Sequence, residues 1–443
     1  MISSKRRSIP AIMAGALSLT GVAAFGQQTQ PNQQELLDTV KALQAKVAQL
    51  EAKQEQAPVA TYGADKAVAD RTVADVLADA NKRSQLMAEG GLTAGWLKGK
   101  PVIQSEDGKF TLHPYFQLQF RGVANYLDES PSTGDEDFDS GFEVRRLKFG
   151  LNGKYAEFDY RFLWVTNRAG GAVTLEDVEI GYKLNDTMRV YAGQFKDPVH
   201  HEELVSSTRQ IAVDRSLVNE LLGGGFLDRV QGVGLSYESG PLYATVVLHD
   251  GANSDNTNYQ GSATQEWGGA GRVEYTVYGD KKQYADFSAM GNKGDMLVIG
   301  AGGDATGRSG DNVFSYTVDA QWENAAGLAI YGAALGQTII GHGDEDNDSN
   351  FGAVAQVSYL LPDSKWEVFG RGGWIHNESN ADNDDDLFEL TGGVNYYFYS
   401  HNAKLTADVT VLPNGSPADS GLGYRDSGTE MQIVGRVQFQ LAF

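Results

Sequence analysis

Polar and apolar residues alternate one by one along the last stretch of the chain. Between Met431 and Phe443, one face carries Met431, Ile433, Gly435, Val437, Phe439, Leu441 and Phe443. The other carries Gln432, Val434, Arg436, Gln438, Gln440 and Ala442. A period of two predicts an extended strand with one apolar and one largely wet face. Strands of about 9–11 residues that meet lipid on one side and a polar lumen on the other have this form. The alternation recurs upstream. Phe110, Leu112, Phe116, Leu118 and Phe120 share one phase, while Gln117, Gln119 and Arg121 share the other. Phe314, Tyr316, Val318, Ala320 and Trp322 alternate with Ser315, Thr317, Asp319 and Gln321, and Phe388, Leu390, Val394, Tyr396 and Phe398 repeat the pattern.

Sixteen such strands are predicted, over 110–126, 143–153, 157–166, 175–184, 188–196, 229–237, 242–250, 269–278, 296–304, 312–323, 327–337, 350–361, 365–376, 387–399, 403–412 and 430–443. Every second connection is short: 154–156, 185–187, 238–241, 324–326, 362–364 and 400–402, with 279–295 the longer member of that series. The intervening connections are long and polar, around 127–142, 167–174, 197–228, 251–268, 305–311, 338–349, 377–386 and 413–429. Short turns at one end and long loops at the other predict a transmembrane barrel rather than a soluble sandwich. The fold class expected is all-β: a 16-stranded antiparallel transmembrane β-barrel with an N-terminal α-helical coiled-coil extension.

The N-terminal quarter reads differently. Lys5, Arg6 and Arg7 precede an apolar segment from Ile9 to Phe25, and Ala24-Phe25-Gly26 offers a small-x-small cleavage site, so residues 1–26 are expected to be a secretory signal peptide. Residues 27–57 carry Leu36, Val40, Leu43, Val47 and Leu50 at 4-3-4-3 spacing, a short coiled coil of about two to three heptads that needs a partner-rich context to be stable. Pro58 ends it, and a periplasmic helical linker is expected over 58–92 before a barrel domain over 93–443.

Composition narrows the functional classes. The 443 residues carry a formal charge of −22, which argues against nucleic acid as a partner. No Cys is present, so no disulfide or thiolate chemistry is available. No G-x-S-x-G, H-E-x-x-H or P-loop motif occurs, so an enzyme is not expected. No cofactor is expected either.

From Gly193 the chain reads GQFKDPVHHEELVSSTRQIAVDRSLVNELLGGGFLDRVQGVGLSY. Gly193, Gln194, Phe195, Lys196 and Pro198, then Glu202, Glu203, Leu204, Ser206 and Ser207, then Asp214, Arg215, Ser216 and Leu217, resemble the signature of the phosphate-selective porin O/P family. Arg229 and Gly232 fit the R-x-x-G that follows there, and Ser105 to Phe110 leading into Gln117 to Arg121 looks like that family's barrel entry. The closing Phe443 resembles the terminal residue of bacterial outer-membrane barrels. The resemblance covers about residue 93 to the end. It implies a trimeric, sixteen-stranded outer-membrane porin and a third long loop folded into the lumen.

A sixteen-stranded barrel leaves an aqueous channel, so function turns on what narrows it and which charge faces water. Loop 197–222, with Leu204, Ile211, Leu217, Leu221 and Leu222 at helix-like spacing, is the candidate constriction. Strand phase assigns Arg121, Arg146, Lys148, Arg161, Arg272, Arg371 and Arg436 to the lumen, because a lipid-facing position costs about 2–4 kcal/mol each at the midplane. With Lys196, Arg209, Arg215 and Arg229 they form a candidate basic track, partly neutralised by wall acids such as Glu157, Asp159, Glu274 and Glu367. The function expected is passive diffusion of small hydrophilic solutes, with anions such as phosphate preferred. The loops are poor in Lys, which leaves strict phosphate specificity unsupported.

Acidic outer loops point the other way. Asp128, Glu129, Asp135, Glu136, Asp137 and Asp139 crowd the first, and Asp382, Asp384, Asp385 and Asp386 the seventh. A general or cation-preferring porin is therefore the second reading. Asp344, Asp346 and Asp348 have D-x-D-x-D spacing but lack the Gly and distal Glu of a calcium loop, so they form only a weak Ca²⁺ candidate. His200-His201-Glu202-Glu203 is a still weaker metal candidate. A reading from another class is a structural tether, the N-terminal helices reaching the cell wall. The partners expected are two further copies of the chain, outer-membrane lipid and small anions.

Overall fold

The computed structural model describes residues 91–443 except 98–99, 130–133, 168–169, 259–264, 309, 342–346, 379–385 and 418–420. The described residues all fall within one compact unit, Gln85–Phe443. The signal peptide, the coiled coil and all but the last two residues of the expected linker lie outside the described residues, as do Asp344 and Asp346.

Eighteen strands follow in chain order. A hairpin comes first, β1 (Leu92–Leu97) and β2 (Lys100–Ser105). Then come β3 (Phe110–Leu127), β4 (Asp137–Tyr155), β5 (Phe158–Thr166), β6 (Val173–Lys183), β7 (Met188–Lys196), β8 (Arg229–Ser239), β9 (Leu242–His249) and β10 (Gln265–Tyr278). The second half is β11 (Met296–Arg308), β12 (Asp311–Glu323), β13 (Leu328–Gly341), β14 (Asp348–Leu360), β15 (Trp366–His376), β16 (Asp386–Tyr399), β17 (Ala403–Leu412) and β18 (Gln432–Ala442).

From β3 onward each strand pairs antiparallel with the next, and β18 pairs back to β3 from Gln432↔Leu127 to Ala442↔Gln117. The ring of sixteen is closed and leaves no exposed edge. The sixteen-stranded barrel expected from alternation is present. The β1–β2 hairpin was not expected: it joins the barrel through Ile103↔Leu112 and Gln104↔Thr111, in a stretch where alternation is too short to read as a strand.

The side chains are arranged inside out relative to a soluble protein. Along β12, Val318 is 59% exposed while its neighbour Asp319 is 6% exposed, and Phe314 and Tyr316 face out while Ser315, Thr317 and Gln321 face in. β18 repeats this, with Val437, Phe439 and Leu441 outward and Arg436, Gln438 and Gln440 inward. Apolar atoms on the outside and polar atoms within are stable only when the outside is hydrocarbon. The barrel is a transmembrane structure.

Three connections carry the interior packing. Between β7 and β8 the chain forms three short helices, α1 (His201–Leu204), α2 (Leu217–Leu222) and α3 (Gly224–Leu227). Val205, Ile211, Leu217, Val218 and Leu222 of this loop cluster with Tyr331, Leu335, Val354 and Phe369 of the wall. Phe287, from the turn between β10 and β11, and Leu422 and Tyr424, from the connection between β17 and β18, join the same cluster. The unusually long turn 279–295 thus packs inside the barrel, through a 3₁₀ segment at Lys281–Ala285.

Candidate functional site

The loop between β7 and β8 begins at a proline-containing turn after β7 and is held by hydrogen bonds to inward-facing wall residues on both sides of the β18–β3 seam. Gln117 Nε2 donates to Ser207 Oγ at 2.9 Å and Gln119 Nε2 to the Ser207 carbonyl at 3.1 Å. Lys404 Nζ donates to the Gln210 carbonyl at 2.6 Å, and the Val213 N–H donates to Asp408 Oδ2 at 2.9 Å. Ser216 caps α2, its Oγ accepting from the Asn219 N–H at 3.1 Å and donating to Glu202 Oε2 at 2.7 Å. The wall completes that cap: the Leu217 N–H donates to Glu389 Oε2 at 2.6 Å. Glycines in the wall admit the helix, since a Cβ at Gly352 would meet Val218 Cγ1 and Leu222 Cδ1 at 2.9 Å.

Asp214 is the electrostatic hub of the loop. It accepts from Arg121 Nη1 at 2.5 Å, Arg145 Nε at 2.9 Å and Arg146 Nη2 at 2.8 Å. Burial favours its neutral form, but Arg145, Arg146 and Arg121 outweigh burial and hold its carboxyl well below the usual range. Glu203 behaves alike: burial raises it, yet Arg215 and Lys196 hold it at about 2.

The eleven basic residues picked out by strand phase and family motif fall into three groups. Arg146, Lys148, Arg161, Lys196, Arg215 and Arg229 line a cavity of about 310 Å³ between the loop and β3–β7. Arg121, Arg272, Arg371 and Arg436 are not among its lining residues. They are buried, and each pairs with acids: Arg121 with Glu143 and Asp214, Arg272 with Glu274 and Asp319, Arg371 with Glu389, and Arg436 with Asp408. Arg371 and Arg436 also donate to the Asp214 and Leu422 carbonyls, and Arg272 to that of Val199, so these guanidinium groups hold the inserted segments in place. Arg209 stands apart, 3.5 Å from Asp286 of the inward turn. Of the wall acids expected to compensate, Glu274 pairs with Arg272, Asp159 pairs with Arg189, and Glu367 accepts from Ser288, Asn395 and Tyr397.

Two residues of the cavity escape simple alternation. In the β3–β4 ladder Gln119 pairs with Arg146 and Phe120 with Val144, leaving Arg145 as an extra residue. This bulge brings Arg145 and Arg146 to the same side, both onto Asp214. In the β5–β6 ladder Leu163 pairs with Asp177 and Trp164 with Leu175, so Glu176 is the extra residue. Glu176 and Asp177 are both buried there, beside Arg229. Strict period-two reading assigns one member of each pair to lipid.

The cavity lining holds seven cations, those six and Arg145, against the four carboxylates Glu176, Glu203, Glu220 and Asp228. Asp177 and Asp214 sit behind it, with side chains 3% and 1% exposed. Arg161 is the most open cation, its side chain 56% exposed although paired with Asp177 at 2.8 Å. A second space of about 200 Å³ adjoins, sharing Arg161, Lys196 and Leu204 and adding Arg189 near the short-turn end of β7. Loop, inward turn and final connection pack together against the wall around Tyr331, Leu335, Val354 and Phe369.

His200 and His201 are both buried, and burial pushes them down to about 3 and 4. His201 stacks on Tyr284 at 3.6 Å and bonds Gln321 at 2.9 Å, a packing role. Asp348 opens β14.

The family described as phosphate-selective porin O and P matches residues 116–315. Comparison with curated proteins gives no match. Among solved structures, the anion-selective porin from Comamonas acidovorans is similar at 11% identity, with a TM-score of 0.55 over 75% of this chain and 99% of that one. The trimer form of OmpT, an outer membrane protein of Vibrio cholerae, aligns at 12% identity and TM-score 0.51, covering 75% and 99%. The outer membrane channel DcaP of Acinetobacter baumannii aligns at 11% and 0.50, covering 77% and 99%. At these identities the likeness is one of fold.

Proposed function

We propose, on the premise that residues 116–315 belong to the phosphate-selective porin O and P family, that the protein is an outer-membrane porin that passes small hydrophilic anions, phosphate among them. The observation that carries this reading is the cavity beside the loop, which seven cations line while the compensating Asp177 and Asp214 lie behind them. The loop narrows the channel and presses the remaining path against β4–β7. Anions entering it meet guanidinium groups whose geometry suits bidentate contact with phosphate or carboxylate oxygens. Each cation is already half-satisfied by a carboxylate, so a passing anion is held weakly, as conduction requires. The family's trimers and the solved trimer form support assembly as a homotrimer. The N-terminal helices remain our proposed periplasmic extension, directed toward the cell wall.

The cation-preferring reading rests on the acidic outer loops, and part of that charge is compensated: Arg425 pairs with Asp137 at 2.6 Å and Asp139 at 3.1 Å. The adjoining cavities of about 310 and 200 Å³ beside the loop support passage over a sealed tether. The test is the reversal potential of the purified channel in a planar bilayer under a KCl gradient, with and without added phosphate. Anion selectivity with phosphate reducing the chloride current is expected. Arg161→Ala should lower the anion-to-cation permeability ratio by about twofold. Cation selectivity without phosphate block overturns the reading.

A further inference from the structure

Where the loop leaves β7, three ionisable groups from three segments meet in the interior. One oxygen each of Asp197 and Asp304 and a ring nitrogen of His249 all lie within 4.8 Å of one another, and all three residues are buried. Asp304 comes from β11 and His249 from the end of β9. Neither carboxylate oxygen of Asp197 has a hydrogen-bond partner, although the residue is 2% exposed. No cation compensates the pair among the described residues. Lys196 is engaged by Glu203, Arg229 by Glu176, Asp177 and Asp228, and Arg272 by Glu274 and Asp319. Tyr191, facing from β7, donates to or accepts from Thr245, and burial leaves the adjacent His200 neutral. Two buried carboxylates this close cannot both stay ionised without a counterion.

The hydrogen bonds of His249 decide what fills the gap. Its Nδ1 accepts from the Gly251 N–H at 3.0 Å, so the ring proton sits on Nε2, which donates to Asp304 Oδ2 at 2.8 Å. A nitrogen carrying a proton has no lone pair for a metal, and metal-binding histidines show the reverse arrangement. Thr306 Oγ1 donates to Asp304 Oδ1 at 2.8 Å while accepting from the Ala252 N–H at 3.0 Å. Asp304 is therefore held as an acceptor by two donors. The missing donor is a proton on Asp197.

We propose that Asp197 and Asp304 share one proton and that this proton latches the first turn of the loop to the barrel wall, releasing it as the solution becomes alkaline. Asp197 carries the O–H and donates to Asp304; opening transfers that proton to water and leaves two carboxylates, one of which must move into solvent. Burial first, and the Asp304 carboxylate second, push the Asp197 carboxyl well above its ordinary range. A proton held more tightly when docked stabilises docking fully below the ordinary carboxylate range. That contribution declines as pH rises and is lost once the docked group ionises. The latch does not depend on which ion the channel prefers.

The test is hydrogen exchange of the full-length channel between about pH 5 and pH 9, read as protection factors corrected for intrinsic exchange. The diagnostic amides are Asp197, which donates to the Asp228 carbonyl at 3.0 Å, Leu204 at the end of α1 and Val205 just after it. Their protection is expected to fall by about tenfold per pH unit within the titration window, as release of one proton dictates. Asp197→Asn puts an N–H where the shared proton lies and removes the titrating group, so it should keep the loop protected with no such slope. An equal slope in wild type and Asp197→Asn overturns the proposal. So does a stoichiometric metal in the purified channel whose removal by EDTA abolishes protection at constant pH.

Discussion

Asp214 accepts hydrogen bonds from Arg121, Arg145 and Arg146 with a side chain only 1% exposed, so its charge is compensated almost entirely by those three groups. Replacing it with Asn leaves three buried or half-buried guanidinium groups short of a partner, a change that costs about 3–5 kcal/mol. Asp214→Asn is therefore expected to lower the midpoint of urea unfolding, whereas Asp107→Asn, in an exposed turn, should leave it unchanged. The pH dependence follows from the direction of the shift. A carboxyl held low contributes its stability above the ordinary range of about 4 and loses it only as the pH falls through the lowered value. The loop anchored by Asp214 should stay docked at pH values where ordinary surface carboxylates are already protonated, which cleavage within 197–228 by an acid protease such as pepsin can measure.

Bulges and small residues place the elements. Arg146 and Lys148 could be assigned inward from the sequence because β4 keeps its alternation from Arg146 to its end. Arg145 and Glu176 could not, because a bulge depends on pairing with a neighbouring strand and leaves no trace in the hydropathy of its own. The same limit applies to Arg272, Arg371 and Arg436. Their inward phase was readable, but whether an inward arginine meets water or an inserted loop is decided by segments distant in sequence. Deleting Arg145 joins Val144 to Arg146, which already face consecutive partners Phe120 and Gln119, so the ladder becomes regular. That variant is expected to assemble normally, judged by heat-modifiable gel migration, and to show reduced anion selectivity. At Gly302 a Cβ would lie 2.7 Å from the Val199 carbonyl oxygen. Gly302→Ala should push the start of the loop off the wall and raise single-channel conductance, while the neighbouring barrel ladder stays intact.

For the whole molecule, the hydropathy pattern sufficed to predict a closed ring of sixteen strands, because lipid outside and water inside impose opposite demands on alternate residues. It did not reveal that turn 279–295 also enters the lumen. Its Tyr284 and Phe287 read as ordinary turn aromatics until they are seen to pack beneath His201 and Tyr331. At the seam, the Phe443 N–H donates to the Phe116 carbonyl and the Phe116 N–H to that of Phe443, both at 3.1 Å, and the two rings stack at 5.3 Å. Phe443→Ala keeps the backbone pair and loses the ring contact, about 0.5–1.5 kcal/mol beyond the buried area. A slower rise of the folded band in refolding assays is the expected outcome.

The loop grips both sides of that seam. Ser207 and Asp214 hold β3, while the carbonyls of Thr208, Gln210 and Val213 are bound by Gln440, Lys404 and Gln438 of the two last strands. First and last strands are thus bolted together from within as well as laced edge to edge. Under a sideways pull, such as a tether in an optical trap applied across the seam, the barrel should not unzip strand by strand. It should hold until the bolt shears, then open in a single rupture, and loosening the loop should turn that rupture into a gradual peel.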